Sequence, residues 1–261
     1  MKIPIKIMLI AAMLMLLGCA DAKDGAVNKL KQKGYEFNEK GFMECVKKGD
    51  IAAAETFIEA GININAVNMY GDTALIGAVM LGNKPLVELL LRHGADANIK
   101  NEKGQTALIF AASAGNADIA NALIIKGADV KTKDINGDAV LMAAVSGGNP
   151  AIVKTVINKG ADVNAANNNG SKALMYAALS GNTPVMKILL DSGADMNAKD
   201  NDGITPLMLA SLRGRMGAVS LLINKGADIN AKDKDGETAL KYAKKDKQDK
   251  VINLLKKAGA R

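Results

Sequence analysis

The sequence predicts an all-α solenoid of about seven 33-residue helix-loop-helix units with β-turn fingers, and three observations carry that prediction. Glycine recurs at a step of 33 in three columns: Gly61, Gly94, Gly127, Gly160, Gly193, Gly226 and Gly259; Gly71, Gly104, Gly137, Gly170, Gly203 and Gly236; and Gly49, Gly82, Gly115, Gly148, Gly181 and Gly214. These columns hold 19 of the 26 glycines, so one repeated backbone plan accounts for most glycine use. Leu75, Leu108, Leu141, Leu174, Leu207 and Leu240 keep the same step, as do Ala78, Ala111, Ala144, Ala177, Ala210 and Ala243. Finally, 49% of the 261 residues are apolar but only 3% are aromatic, with no Trp. The core is therefore left to Ala, Leu, Ile, Val and Met, which suits closely packed helices.

The elements follow in chain order. Residues 1–18 read as a signal peptide: Lys2 and Lys6 precede an apolar run from Ile7 to Leu17 that falls short of the ~20 residues a bilayer span needs. Leu16-Leu17-Gly18-Cys19 resembles the lipobox of bacterial lipoproteins, in which cleavage follows the Gly and the Cys becomes the lipid-bearing first residue. An ordinary secretory signal with a chance Cys is the alternative. Ala20 after the Cys resembles the outer-membrane sorting pattern. Residues 19–34 are read as the lipidated Cys19 and a tether, polar and charged with no periodic face beyond Val27 and Leu30. Extended, such a tether reaches ~45 Å. The folded domain is placed at 35–261.

The unit at 69–101 shows why each part of the repeat forms. The Thr73 hydroxyl caps the first helix by accepting from a first-turn amide. Leu75 and Ala78 share a face, Ala78 lets a neighbouring helix approach, and Gly82 ends this short helix in the left-handed conformation. Leu86, Leu89 and Leu90 form the inward stripe of a second helix that Gly94 ends. Asp96 then bonds to nearby loop amides, and Asn101-Glu102-Lys103-Gly104 makes the next turn. Pro85, Pro150 and Pro184 fall in the first turn of a second helix and Pro206 in that of a first, where proline is tolerated. A degenerate unit precedes five full ones beginning near Met69, Glu102, Ile135, Asn168 and Asn201, and a truncated unit ends the chain. Glu39, Glu44, Lys47 and Lys48 at one end, and Lys244 to Lys257 at the other, supply the polar coats that terminal repeats require.

The segments "GDTALIGAVMLGN", "GQTALIFAASAGN" and "GITPLMLASLRGR", each followed by a "GAD" loop, resemble the ankyrin repeat over roughly 35–261. The family's His after Thr-Pro-Leu is replaced by Ile76, Ile109, Met142, Met175, Met208 and Lys241, which removes a side-chain hydrogen bond common in the family. Ala139 and Lys172 replace the capping Thr, and Lys131 replaces the Asn found at Asn65, Asn98, Asn164, Asn197 and Asn230. These changes, with the backbone freedom of Gly147-Gly148, are expected to weaken the middle units.

Repetition disposes of most catalytic candidates. Asp96, Asp129, Asp162, Asp195 and Asp228 occupy equivalent loop sites, so they are read as loop architecture rather than a carboxylate cluster. The single His, His93, sits at a helix C-terminus where the dipole favours it, and one His builds no multi-His zinc site. Cys45 falls on the Ala column and is read as a small buried filler. Met142, Met175 and Met208 share one column and are read as packing, not copper ligands. No Gly-rich phosphate loop appears. Of the formal +7 charge, Lys2 and Lys6 lie in the signal segment and the remaining excess of +5 is matched by residues 231–261 alone, so no nucleic-acid stripe runs along the domain. The chain is read as a non-enzyme without metal or cofactor.

The resemblance implies that ligands meet the finger turns and the exposed positions of the first helix. Met69, Tyr70, Asp72, Met80 and Leu81 are an unusually apolar set there and form the first candidate contact, followed by Lys103, Asn136, Asn169 and Asp202. The alternative is that Met80 and Leu81 pack on a neighbouring helix or on Phe37 and Phe110. The expected role is a non-catalytic, monomeric protein-binding platform, held to a membrane only by its lipid, at the periplasmic face of the outer membrane. An immunity-like or protective inhibitor of one envelope enzyme is the competing reading.

Overall fold

The computed structural model describes residues 23–261, and among them α-helix is the only extended regular structure. Isolated antiparallel bridges join Val67 to Thr73, Lys133 to Ala139 and Ala166 to Lys172 at the bases of three fingers. The chain divides into two compact units, one ending at Glu102 and the other Lys103–Arg261. The signal segment, Cys19 and residues 20–22 lie outside the described residues.

The first unit holds α1 (23–32), α2 (Glu39–Lys47), α3 (Ile51–Glu59), α4 (Ala74–Met80) and α5 (Lys84–Arg92). Within the 19–34 segment expected to be a tether, the residues described from 23 onward form α1. Leu30 is fully buried, and the helix closes through the Tyr35 amide donating to the Leu30 carbonyl at 2.9 Å. The same closure recurs where Ile62 donates to Phe57 and Ala95 to Leu90, so Leu30 belongs to the column of Phe57 and Leu90. Its separation from Phe57 is 27 residues rather than 33, the six missing residues being those of a finger. α1 thus takes the place of a second helix, with Lys33 just beyond its C-terminal end against Asp50 at 3.1 Å and Lys23 at its start over the Phe37 ring. Tyr35, Phe37 and Phe42 surround Phe57 at centroid distances of 6.1, 5.8 and 5.6 Å, which concentrates the chain's scarce aromatics at this end. Cys45 is buried as expected, its thiol donating to the Phe42 carbonyl, and burial pushes its pKa up to about 12, far from a reactive thiolate.

The second unit holds five helix pairs: α6 (Ala107–Ser113) with α7 (Ala117–Ile125), α8 (Val140–Gly147) with α9 (Pro150–Asn158), α10 (Ala173–Ser180) with α11 (Thr183–Asp191), α12 (Pro206–Leu212) with α13 (Met216–Asn224), and α14 (Ala239–Lys245) with α15 (Asp249–Lys257). First helices pack side by side in one row and second helices in another. The Leu and Ala columns from Leu108 and Ala111 onward fill the space between, all buried. Gly147 corrects its reading as a site of added freedom. A Cβ there would stand 2.2 Å from the Ala112 carbonyl oxygen, so its missing side chain is what lets α8 lie against α6.

The capping pattern also departs from the threonine rule. Thr73 and Thr205 cap α4 and α12 as expected, through Ile76 and Met208 amides at 3.2 and 3.3 Å. Thr106 makes no such bond and its buried hydroxyl has no partner. The α6 helix therefore holds no capping advantage over α8 and α10, whose N-cap residues are Ala139 and Lys172. At two of the His-replaced positions a weaker bond stands in: the Met175 and Met208 sulfurs accept from the Lys172 and Thr205 amides at 3.5 and 3.4 Å. The second helices carry caps that the sequence reading missed. Asn83, Asn116 and Asn182, also 33 apart in phase, each accept from the third amide of their helix, and Asn149 accepts from Ala151. Asn149 and Asn182 also donate to the Gly115 and Gly148 carbonyls at 2.9 and 3.0 Å, so each caps its own helix and ties it to the preceding pair.

Candidate functional site

Five of the fingers are each organised by one carboxylate or amide oxygen. The Oδ1 atoms of Asn68, Asp134, Asn167, Asp200 and Asp233 each accept from the amides two and four residues ahead, closing the turn around the Gly that follows. Gly71 needs its φ of +77° here, and a Cβ would meet the Glu102 amide at 2.8 Å. Consecutive fingers are then joined through their tips. Within the first unit the Tyr70 carbonyl accepts from Glu102 at 3.0 Å. Within the second, the carbonyls of Lys103, Asn136, Asn169 and Asp202 accept from Ile135, Asn168, Asn201 and Lys234 at 3.1, 2.9, 3.0 and 2.9 Å. The candidate residues Tyr70, Lys103, Asn136, Asn169 and Asp202 therefore share one backbone position, anchored behind and with the side chain exposed.

The apolar set lies on the first unit. Met69 is 78% exposed, Tyr70 60%, Met80 62% and Leu81 50%, so none serves the core; Val67, which the sequence reading passed over, joins them at 50%. Met80 and Leu81 are thus at least half exposed, and Phe37 stacks on Phe57. Met69 and Tyr70 stand on the finger before α4, Met80 and Leu81 at its far end, ~10 Å apart along a helix of this length. Asp72 differs from the rest: it is half-buried and accepts from the Asn101 side chain at 2.9 Å, a finger-to-finger tie rather than a free contact.

The second unit contains a cleft of about 220 Å³ between the fingers and the row of first helices. Phe110, Ala143 and Tyr176 occupy equivalent positions of α6, α8 and α10, so a methyl group stands where both neighbours carry rings. Asp134 and Asp138 line the finger side. Asp138 is held by the Tyr176 hydroxyl at 3.1 Å and by the Asn167 side chain at 2.7 Å, and Asn167 also donates to the Tyr176 oxygen at 3.0 Å. Burial, then the Asp138 charge, push the Tyr176 pKa up to about 12, so the phenol stays a donor. The signal for this cleft was a size change along one column. Tyr242 instead donates to Asp233 of its own finger at 2.7 Å, and its pKa is likewise raised by burial.

The loop aspartates behave as architecture. Asp96, Asp129, Asp162, Asp195 and Asp228 each accept from the amide two residues on, at 2.8 to 3.0 Å. Asn65, Asn164 and Asn197 accept in turn from the Asp96, Asp195 and Asp228 amides at 2.9 Å. His93 is exposed at the end of α5. Among the described residues no group of three or more His, Cys, Asp or Glu is placed to hold a metal ion, and no helix is long and apolar enough to cross a membrane. Met142, Met175 and Met208 are buried in the core.

A family model described as ankyrin repeats (3 copies) matches residues 42–134, 126–200 and 193–261. No curated protein matches the sequence.

Proposed function

The chain belongs to the ankyrin-repeat family, whose members bind other proteins and are typically non-catalytic, and from that premise we propose that it is a monomeric binding platform anchored in the bacterial cell envelope. The observation that carries the reading is the exposure of Met69, Tyr70, Met80 and Leu81 at both ends of α4. Large apolar side chains with no core role are what an interface uses, Met and Tyr above all. The polar fingertips Lys103, Asn136, Asn169 and Asp202 of the second unit offer further contacts, each held on an anchored backbone.

Anchoring rests on Leu16-Leu17-Gly18-Cys19 behind a short apolar run. With α1 reaching back to residue 23, the spacer after Cys19 is at most residues 20–22, a reach of ~10 Å rather than ~45 Å. The domain then sits against the lipid surface, at the periplasmic face of the outer membrane by the sorting pattern at Ala20.

The test is capture from an envelope extract with the full chain and with Tyr70→Ala/Met80→Ser. The double variant is expected to recover at least ~10-fold less partner, the cost of losing one buried aromatic anchor, while its thermal midpoint stays unchanged. Equal capture by the variant would overturn the contact assignment. Cell fractionation of Cys19→Ser tests the anchor: the protein should leave the membrane fraction, and retention there would contradict lipidation at Cys19.

A further inference from the structure

We infer that the cleft beside Ala143 accepts a single arginine side chain presented by the partner protein. The inference deepens the protein-binding reading and rests on it. The cleft is about 220 Å³, the size of one side chain rather than of a helix or a free metabolite. Its lining includes two carboxylates and no cationic group. Asp138 uses Oδ1 for both Tyr176 and Asn167, and Asp134 uses Oδ1 for the Asn136 and Asp138 amides, so the bonds that fix each carboxylate leave its Oδ2 outside them. An ionised carboxylate accepts about four hydrogen bonds, and both of these residues line the cleft.

The ring positions choose among cations. Phe110 and Tyr176 line the cleft from the helices on either side of α8, with Ala143 between them. A planar guanidinium stacks on aromatic faces while its edge donates two parallel bonds to a carboxylate; an ammonium ion, compact and strongly hydrated, does neither as well. Tyr176 adds a second contribution. Its phenol remains protonated and donates to Asp138, so the carboxylate is oriented before any ligand arrives. Such preorganisation removes part of the ordering cost of binding. Gly147 contributes indirectly, by holding α8 against α6 and so setting the spacing of Phe110 and Ala143.

The probe is N-acetyl-arginine N-methylamide, titrated into the full chain at constant ionic strength and followed by amide chemical shifts. Saturable shifts confined to residues around Asp134, Asp138 and Ala143 are expected, with half-saturation at ~1–10 mM, as befits one charged side chain. The citrulline and lysine analogues should bind at least ~10-fold more weakly, the first lacking charge and the second the flat fork. Ala143→Leu, a change between good helix formers that fills the slot, should abolish the shifts with the circular dichroism spectrum preserved. No saturable shift by ~100 mM, or equal binding of either analogue, would overturn the inference even if Ala143→Leu failed to fold. Because the titration uses no partner, its failure leaves the capture experiment standing, and a loss of capture leaves the titration standing.

Discussion

The Tyr176 hydroxyl donates to Asp138 at 3.1 Å from a helix one repeat further along the chain, so a first-helix ring positions the carboxylate of the preceding finger. Tyr176→Phe keeps the ring and removes that bond. The expected cost is ~1 kcal/mol, or a fall of ~2–4 °C in thermal midpoint. The pH dependence has a definite sign. The folded-state pKa of about 12 lies above the ordinary 10, so this stabilisation is complete below pH 10 and is lost as pH rises through 12. The gap between wild type and Tyr176→Phe should close across that window. A gap that is constant to pH 12 would contradict the role given to the phenol.

Gly147 tests the close approach of α6 and α8. Gly147→Ala places a methyl 2.2 Å from the Ala112 carbonyl, a clash with backbone that no rotamer relieves. Overpacking of this kind costs ~1–3 kcal/mol. In an ordinary helix the same change stabilises by ~0.5–1 kcal/mol, so the sign alone decides, read by urea denaturation.

Two threonines of identical sequence position separate capping from mere burial. Thr205→Val removes a cap bonded to Met208 and should cost ~0.5–2 kcal/mol. Thr106→Val removes a buried hydroxyl without a partner and should be neutral or stabilising. Equal losses at both would show that Thr106 caps α6 after all.

Much of this fold was legible because it repeats. The three glycine columns, the Leu and Ala columns and the proline positions each state one local rule many times, and the loop aspartates declared themselves structural by recurring. What escaped was out of phase or depended on comparison between neighbours. Leu30 sits 27 residues before Phe57, so the absence of a finger hid α1 from a search at 33. The Asn83, Asn116, Asn149 and Asn182 column was in phase, but the double role of Asn149 and Asn182 as cap and tie needs the geometry of the preceding pair. The exposed set at Met69, Tyr70, Met80 and Leu81 was read directly, since a polar position filled by an apolar residue stands out against its column. The cleft was not, because Ala143 is unremarkable until Phe110 and Tyr176 are set on either side of it.

The central claim is that the two ends of α4 meet a partner, and site-specific photocrosslinking in cells tests it most directly. A photoreactive residue would replace Tyr70 in one strain and Ile125 in another. Ile125 is the more exposed of the two, 81% against 60%, but lies on the second helix of its pair. Position 70 should yield one discrete adduct and position 125 none. An adduct from 125 with none from 70 would contradict the claim and move the contact to the second helices.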